Sequence, residues 1–257
     1  PPGAAALERA LVWLATRHGS LRTQFSVVEA TGAPVQSIAS PQAVLEAGVL
    51  SAVAVAPGGG EAALLAAARA DAARPFQLVG GLPLFRVLLA TDPATGGGAL
   101  ALTAHHAITD GASQGLLWAE LGAVCGALAR GASPPILPKL TLAYADFAAW
   151  QLARVADGSL ALHLAYWKET LAGAPPLLEL PTDKPRPPVA SGAGGNVPFA
   201  LSAHTAAALR DLAAQAEGTL FMALLAAFAL ALGRYARAED VVIGTPAAGR
   251  DLPDLAG

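Results

Sequence analysis

The stretch Ala99-Leu100-Ala101-Leu102-Thr103-Ala104-His105-His106-Ala107-Ile108-Thr109-Asp110-Gly111 gives the strongest indication of the fold. Its first six residues form an apolar run of the length of a buried strand, and the glycine-rich turn at 95–98 precedes them. From Ala112 onward, apolar residues recur at helical spacing. The two histidines are therefore predicted to lie on a connection between a strand and a helix, where functional side chains are often found.

The adjacent histidines are the first candidates for a functional role. Consecutive side chains on an extended backbone point to opposite sides, so we expect only one of His105 and His106 to face a cavity. The sequence contains 5 histidines. The word His-His-x-x-x-Asp-Gly is expected by chance in only about one in a few thousand chains of this composition. We therefore favour a functional role for this connection over simple packing.

Composition and charge exclude several classes of function. Apolar residues make up 54% of the chain and charged residues 14%, with a net charge of −3 and no basic cluster, which argues against nucleic acid as a partner. The longest apolar run, at 220–233, is about fourteen residues, too short to span a membrane. The amino end lacks the basic, apolar and small-residue regions of a secretory signal, so we expect a cytoplasmic protein.

Cysteine and histidine usage argues against disulfide and metal chemistry. The single cysteine, Cys125, excludes an internal disulfide. It lies at helical spacing from Leu121, Val124 and Leu128, so we interpret it as a core residue rather than a nucleophile. No spacing typical of metal ligands occurs, and we expect no metal site.

Periodicity and turn signals predict the order of elements along the chain. Helices are predicted at 4–18, 61–73, 112–130, 144–150, 164–173, 203–216 and 220–235, and strands at 20–28, 35–38, 84–90, 99–104, 197–201 and 240–246. Ser202 and Thr219 are expected to cap the last two helices, and the pattern at 40–56 is too weak to predict an element. The strands 84–90 and 99–104 should form an antiparallel hairpin. Residues 175–196 are rich in proline and glycine and predict a linker between a lobe at 1–174 and the beginning of a second lobe at 197–257.

The histidine stretch resembles the His-His-x-x-x-Asp-Gly signature of nonribosomal peptide synthetase condensation domains, which are relatives of chloramphenicol acetyltransferase. Other motifs of that family resemble the segments at 17–25, 144–150 and 244–250. The segment at 74–89 also resembles a family motif, but Gln77 replaces the usual aspartate and Leu82 separates Gly81 from Pro83. The resemblance implies an α/β fold (an α+β sandwich). Its lobe has a mixed sheet and flanking helices, as in chloramphenicol acetyltransferase. We expect the chain to be incomplete at both ends relative to such a domain.

The resemblance also assigns roles at the site. It implies that His106 is catalytic, that His105 supports it, and that Asp110 and Gly111 are structural. It further implies that Arg22 pairs with Asp110. Such a pair is physically reasonable, because an arginine fork satisfies a carboxylate that would otherwise be costly to bury.

The resemblance implies an enzyme that forms an amide bond between a donor acyl thioester and an acceptor aminoacyl thioester. No cofactor is expected to bind directly; phosphopantetheine would be presented by carrier protein domains, with an adjoining adenylation domain as a further partner. Two alternatives stay open. One is a CoA-dependent O- or N-acyltransferase of the His-x-x-x-Asp-Gly type, and the other is an inactive lobe that only docks a carrier.

Overall fold

The computed structural model describes residues 3–250 of the chain. These residues form two compact units, one comprising 3–157 together with 248–250 and the other comprising 158–247. The histidine stretch lies in the first unit. The lobe boundaries expected at 174 and 197 stay a prediction.

The first unit contains the eight elements predicted upstream of residue 157, seven of them at nearly the expected places. Its elements in chain order are α1 (Ala4–Arg17), a 3₁₀ turn (Gly19–Arg22), β1 (Thr23–Val27), β2 (Pro34–Ile38), α2 (Ala43–Glu46), β3 (Leu50–Ala54), α3 (Gly60–Ala72), β4 (Phe85–Thr91), β5 (Gly98–Ala104), α4 (Gly111–Ala129) and α5 (Tyr144–Ala156).

A three-stranded sheet carries the histidine stretch. Its order is β3-β4-β5, with β3 parallel to β4 and β4 antiparallel to β5. The predicted hairpin is confirmed, with Leu88 opposite Ala101 and Arg86 opposite Thr103. The sheet is therefore mixed, as the fold class predicts. β1 and β2 form a separate antiparallel pair.

The hydrophobic core lies between α1, α4 and the sheet. Leu7, Leu11 and Leu14 recur on one face of α1 and are at most 1% exposed. Side chains of α4 and β4 complete the cluster, among them Leu121, Val124, Phe85 and Val87. Burial of each such side chain contributes about 1.5–3 kcal/mol. Because this core fixes α4 from Leu117 onward, the first turn of the helix holds the end of the histidine stretch in a defined place.

Cys125 belongs to this core, as predicted. It is 8% exposed, and burial raises the pKa of its thiol. The thiolate is therefore disfavoured at neutral pH.

Two segments of the first unit differ from the prediction. The strand expected from residue 20 begins only at Thr23, because Gly19–Arg22 forms the 3₁₀ turn after α1. The weak pattern at 40–56 contains α2 and β3. β3 was missed because its sequence, Leu-Ser-Ala-Val-Ala, lacks an alternation of large apolar and polar residues; its backbone pairing with β4 determines the strand.

The second unit contains α6 (Ala161–Thr170), α7 (Ala203–Gln215) and α8 (Leu220–Ala236). Ser202 and Thr219 cap α7 and α8 as predicted, each accepting a hydrogen bond from a backbone amide of the first turn. Among the described residues, neither of these helices has by itself the length and hydropathy of a membrane span, and the two pass that test only as a pair bent by 105°.

The strands predicted at 197–201 and 240–246 are wrong. Both segments are irregular, and Val197, Phe199 and Val242 are 89%, 86% and 55% exposed. A strand needs a neighbour to satisfy its backbone groups, and the described part of this unit, residues 158–247, contains no strand that could pair with either segment.

Candidate active site

The histidine stretch leaves the sheet at His105 and turns sharply. The amide of His105 still donates to Leu84 O at 2.8 Å, and the amide of Ile108 donates to His105 O at 3.1 Å. Ile108 and Thr109 are buried, with 7% exposure each. The turn at 105–108 is therefore anchored at its start by Leu84, the residue before β4, and at its end by packing of Ile108 in the core.

The two histidines have different surroundings, as expected. His105 is half-buried, and its ring lies nearly perpendicular to that of Phe76, with 6.3 Å between ring centroids. His105 Nδ1 accepts a hydrogen bond from the amide of Ala107 at 3.0 Å. His106 is exposed and lines a cavity of about 400 Å³. The ring of His106 is thus accessible to a ligand.

The cavity brings together segments that are far apart in the sequence. Its wall combines the end of α1, the 3₁₀ turn, β1, β2, the histidine turn, the first turns of α4 and the start of α5, and includes Arg17, His18, Arg22, Phe25, Gln36, His106, Asp110, Ser113, Tyr144 and Arg250. It therefore includes three of the residues that the sequence predicts for the site, His106, Asp110 and Arg22. His105 and Gly111 are not part of its wall.

Asp110 caps the first turn of α4. Its carboxylate accepts hydrogen bonds from the amide and the hydroxyl of Ser113 at 2.7 and 2.6 Å. Arg250 Nη2 lies 3.3 Å from Asp110 Oδ1 and 2.9 Å from Ser113 Oγ. The hydrogen bonds from Ser113, followed by the charge of Arg250, lower the pKa of Asp110 from its ordinary value. Asp110 is therefore an ionised cap with a structural role in this turn.

Gly111 begins α4 without a steric requirement for glycine. It is exposed, its φ lies outside the left-handed region, and an added Cβ would meet nothing within 4 Å. Nothing in the structure explains a glycine there.

The expected pair between Arg22 and Asp110 is wrong, since Arg250 occupies that place. Arg22 instead donates from Nε to Ala15 O at 2.9 Å and from Nη1 to Ala39 O at 2.6 Å. The carbonyl of Ala15 is in the last turn of α1, where carbonyl groups lack partners within the helix. Arg22, the last residue of the 3₁₀ turn after α1, satisfies this carbonyl and so joins α1 to the segment after β2.

Arg250 belongs to the motif at 244–250, but the sequence assigns it no role. Its partner is 140 residues away in sequence. Only that motif could have drawn attention to it.

A buried ionic cluster beside the cavity was not predicted. Glu120 on α4 is 5% exposed and accepts from Arg17 Nε at 2.9 Å, with His18 Nε2 at 2.6 Å from its other oxygen. Arg17 Nη1 also donates to Pro138 O at 2.7 Å. A glutamate at an apolar-spaced helix position and an Arg-His pair were the available signals. The cluster ties the end of α1 to α4, and its members Arg17 and His18 form part of the cavity wall.

The described residues contain no group of three or more histidine, cysteine, aspartate or glutamate side chains that could hold a metal ion.

The chemistry available at the cavity is that of an accessible imidazole. An imidazole can take a proton from an attacking amine near neutral pH, or orient the amine by a hydrogen bond.

Comparisons with known proteins agree with the motifs. The family model described as "condensation domain" matches residues 3–257. One of the linear gramicidin synthase proteins of Brevibacillus parabrevis is 42% identical over 96% of this chain. The phosphinothricin tripeptide synthetase PhsC from Streptomyces viridochromogenes is 41% identical over 99% of it. The chain spans 3% and 23% of the lengths of these two synthetases.

Solved structures have the same architecture. The X-domain from teicoplanin biosynthesis matches with a TM-score of 0.75 and 29% identity, over 90% of this chain and 49% of that one. The first condensation domain of the calcium-dependent antibiotic synthetase, solved with a substrate analogue, matches with a TM-score of 0.72 and 23% identity, over 100% of this chain and 58% of that one. The chain therefore has the fold of about half of these solved chains.

Proposed function

Because this chain belongs to the condensation domain family of nonribosomal peptide synthetases, we propose that it forms amide bonds between two carrier-bound substrates. The α-amine of an acceptor aminoacyl thioester attacks the carbonyl carbon of a donor acyl thioester. A C–N bond forms, the C–S bond of the donor breaks, and the proton lost by the amine goes to the thiolate that leaves. Both acyl groups are carried on phosphopantetheine arms.

His106 is the residue assigned to the reacting amine. The observation that carries this assignment is that its ring lines the cavity while the turn is anchored on both sides, by Leu84 and by Ile108. His106 accepts the amine proton or orients the amine for attack. Positioning of two tethered substrates in one cavity supplies a large part of the rate enhancement.

The partners follow from the proposed reaction. Carrier protein domains deliver both substrates, and an adenylation domain loads the acceptor. The chain binds no cofactor of its own, since the pantetheine arms belong to the carriers. In this setting the reaction takes place in the cytoplasm.

The test uses the parent synthetase with loaded donor and acceptor carriers, and mass spectrometry of the acceptor carrier. His106→Ala is expected to lower amide formation by about two to four orders of magnitude, the usual range for loss of an acid–base group. His163→Ala, which changes an exposed histidine on α6, is the matched control and should leave the rate unchanged. Undiminished product formation by His106→Ala would remove His106 from the mechanism.

The same assay separates the alternatives. Acyl transfer from soluble acyl-CoA to a hydroxyl or amine, with no product from loaded carriers, would identify a CoA-dependent acyltransferase instead. Binding of a loaded carrier without product from either donor would identify a docking lobe.

A further inference from the structure

Arg86, on β4, has an orientation that pairing with a carboxylate does not explain. Its side chain is 11% exposed, and Nη2 donates to Asp71 O at 2.9 Å and to Arg74 O at 2.8 Å. Nε lies 3.6 Å from Asp71 Oδ2 and makes no hydrogen bond within the described residues. If neutralising Asp71 were its only role, a two-point bond between guanidinium and carboxylate would be expected.

Phe76 accounts for that orientation. The central carbon of the Arg86 guanidinium lies 4.0 Å from the centroid of the Phe76 ring, a cation–π contact. The same ring meets His105 nearly at a right angle, 76° between planes. Phe76 therefore contacts both the fixed guanidinium and the imidazole next to His106.

The hydrogen bond of His105 determines its tautomer. A backbone amide can only donate, so the bond from Ala107 requires a lone pair on His105 Nδ1. The neutral ring then carries its proton on Nε2. Rotating the ring by half a turn would replace Nδ1 with a carbon and break the bond to Ala107, which lies directly after His106.

We propose that Phe76 and Arg86 are positioning residues, which hold the His105 ring in one orientation and one tautomer and thereby fix the turn that presents His106. Arg86 is held by the backbone of α3 and by β4, Phe76 stacks on Arg86, and His105 packs on Phe76 and accepts the Ala107 amide. The effect of this arrangement on the reaction rate rests on the proposed function. Its effects on the His105 tautomer and on the rigidity of the turn do not depend on that function.

The structural test uses the full chain with ¹⁵N-labelled histidine and long-range ¹H–¹⁵N correlation, the His105 signals being assigned by their loss in His105→Gln. In the unchanged chain we expect the Nε2–H tautomer. Phe76→Leu should restore the mixture of tautomers found in free histidine and speed hydrogen exchange of the Ala107 amide by about tenfold or more, because local opening becomes easier. Phe76→Tyr keeps the ring and should retain both signatures, the Nε2–H tautomer of His105 and the slow exchange of the Ala107 amide.

The kinetic test uses the parent synthetase. Phe76→Leu should lower kcat by about ten- to a hundredfold with KM for the carriers unchanged, as expected for a small misplacement of a reacting group. Phe76→Tyr should restore kcat, and Phe221→Leu, a matched change of an exposed phenylalanine on α8, should alter neither constant.

The two tests distinguish a wrong positioning role from a wrong proposed function. If Phe76→Leu leaves the tautomer and the Ala107 exchange rate unchanged, the positioning role is wrong, whatever the activity. If both signatures change but the unchanged synthetase forms no amide, the positioning role is supported and the proposed function is wrong.

Discussion

Arg250 and Asp110 are joined across 140 residues of sequence, with 3.3 Å between Arg250 Nη2 and Asp110 Oδ1. The Asp110 side chain is 41% exposed and that of Arg250 is 25% exposed, so water screens the pair. The hydrogen bonds from Ser113 are shorter and local to the helix. The stability of the turn should therefore depend more on the helix cap than on the ion pair.

Asp110→Ala should cost more stability than Arg250→Ala. Loss of a helix N-cap costs about 1 kcal/mol, whereas a partly exposed ion pair contributes between about 0 and 1 kcal/mol. Urea denaturation of the two variants measures the difference. A larger loss for Arg250→Ala would mean that the ion pair, rather than the cap, holds the turn.

Glu120→Ala should be the most destabilising change near the cavity. It leaves Arg17 and His18, with side chains 15% and 10% exposed, next to an empty space without their shared carboxylate. Breaking a buried ion pair from one side costs about 3–5 kcal/mol. Denaturant unfolding checks this value, with Glu8→Ala on the exposed face of α1 as the control. Equal stabilities of the two variants would contradict the prediction.

Asp92 should make the loop before α3 sensitive to acid. Its carboxylate is fully buried and accepts hydrogen bonds from the amides of Gly58, Ala94 and Gly60, at 3.0, 2.9 and 3.1 Å. These bonds, that from Gly58 first, lower the pKa of Asp92 from its ordinary value of 3.8. The pKa of Asp92 is therefore lower in the folded chain than in the unfolded chain. The stability that the ionised carboxylate contributes is complete above pH 3.8 and is lost as the pH falls through the folded-state pKa.

The measurement compares the free energy of unfolding of the unchanged chain and of Asp92→Asn as a function of pH. The difference between them should be constant near neutral pH and should shrink on acidification, as the native carboxyl becomes protonated. A difference that grows as the pH falls would reverse the sign and reject this explanation.

Cys125 should resist thiol reagents in the folded chain. Burial raises the pKa of its thiol, and the side chain lies among core residues of α1 and α4. Labelling by a disulfide reagent at neutral pH should be slower than labelling of the unfolded chain by at least about a hundredfold, since it requires opening of the core. Rapid labelling without loss of structure would show that the thiol is accessible.

The sequence predicts those features of this protein that depend on local pattern. The helix with Leu7, Leu11 and Leu14, the hairpin ending at Ala104 and the caps Ser202 and Thr219 each follow from residues close together in the sequence, and all are confirmed. The exposed position of His106 and the half-buried position of His105 fit the alternation expected at a strand end.

Features that depend on distant partners could not be predicted. The segments at 197–201 and 240–246 have the composition of strands but no pairing strand in residues 158–247. The family resemblance implies Arg22 as the partner of Asp110, and only the folded chain brings Arg250 to it. In the sequence Glu120 is one polar position on an apolar helix, and only the fold places Arg17 and His18 beside it.

The turn between β5 and α4 has one further consequence. His105 N donates to Leu84 O, Ile108 is buried, and Asp110 accepts a hydrogen bond from the Ser113 amide. The six residues at 105–110 are therefore fixed at three points. Within this segment the exposed Ala107 can be exchanged, but inserting or deleting one residue would rotate the imidazole of His106 out of phase with the helix that follows. Diversification of substrate preference in relatives of this chain is therefore expected in the surrounding walls, while the number of residues in this loop stays constant.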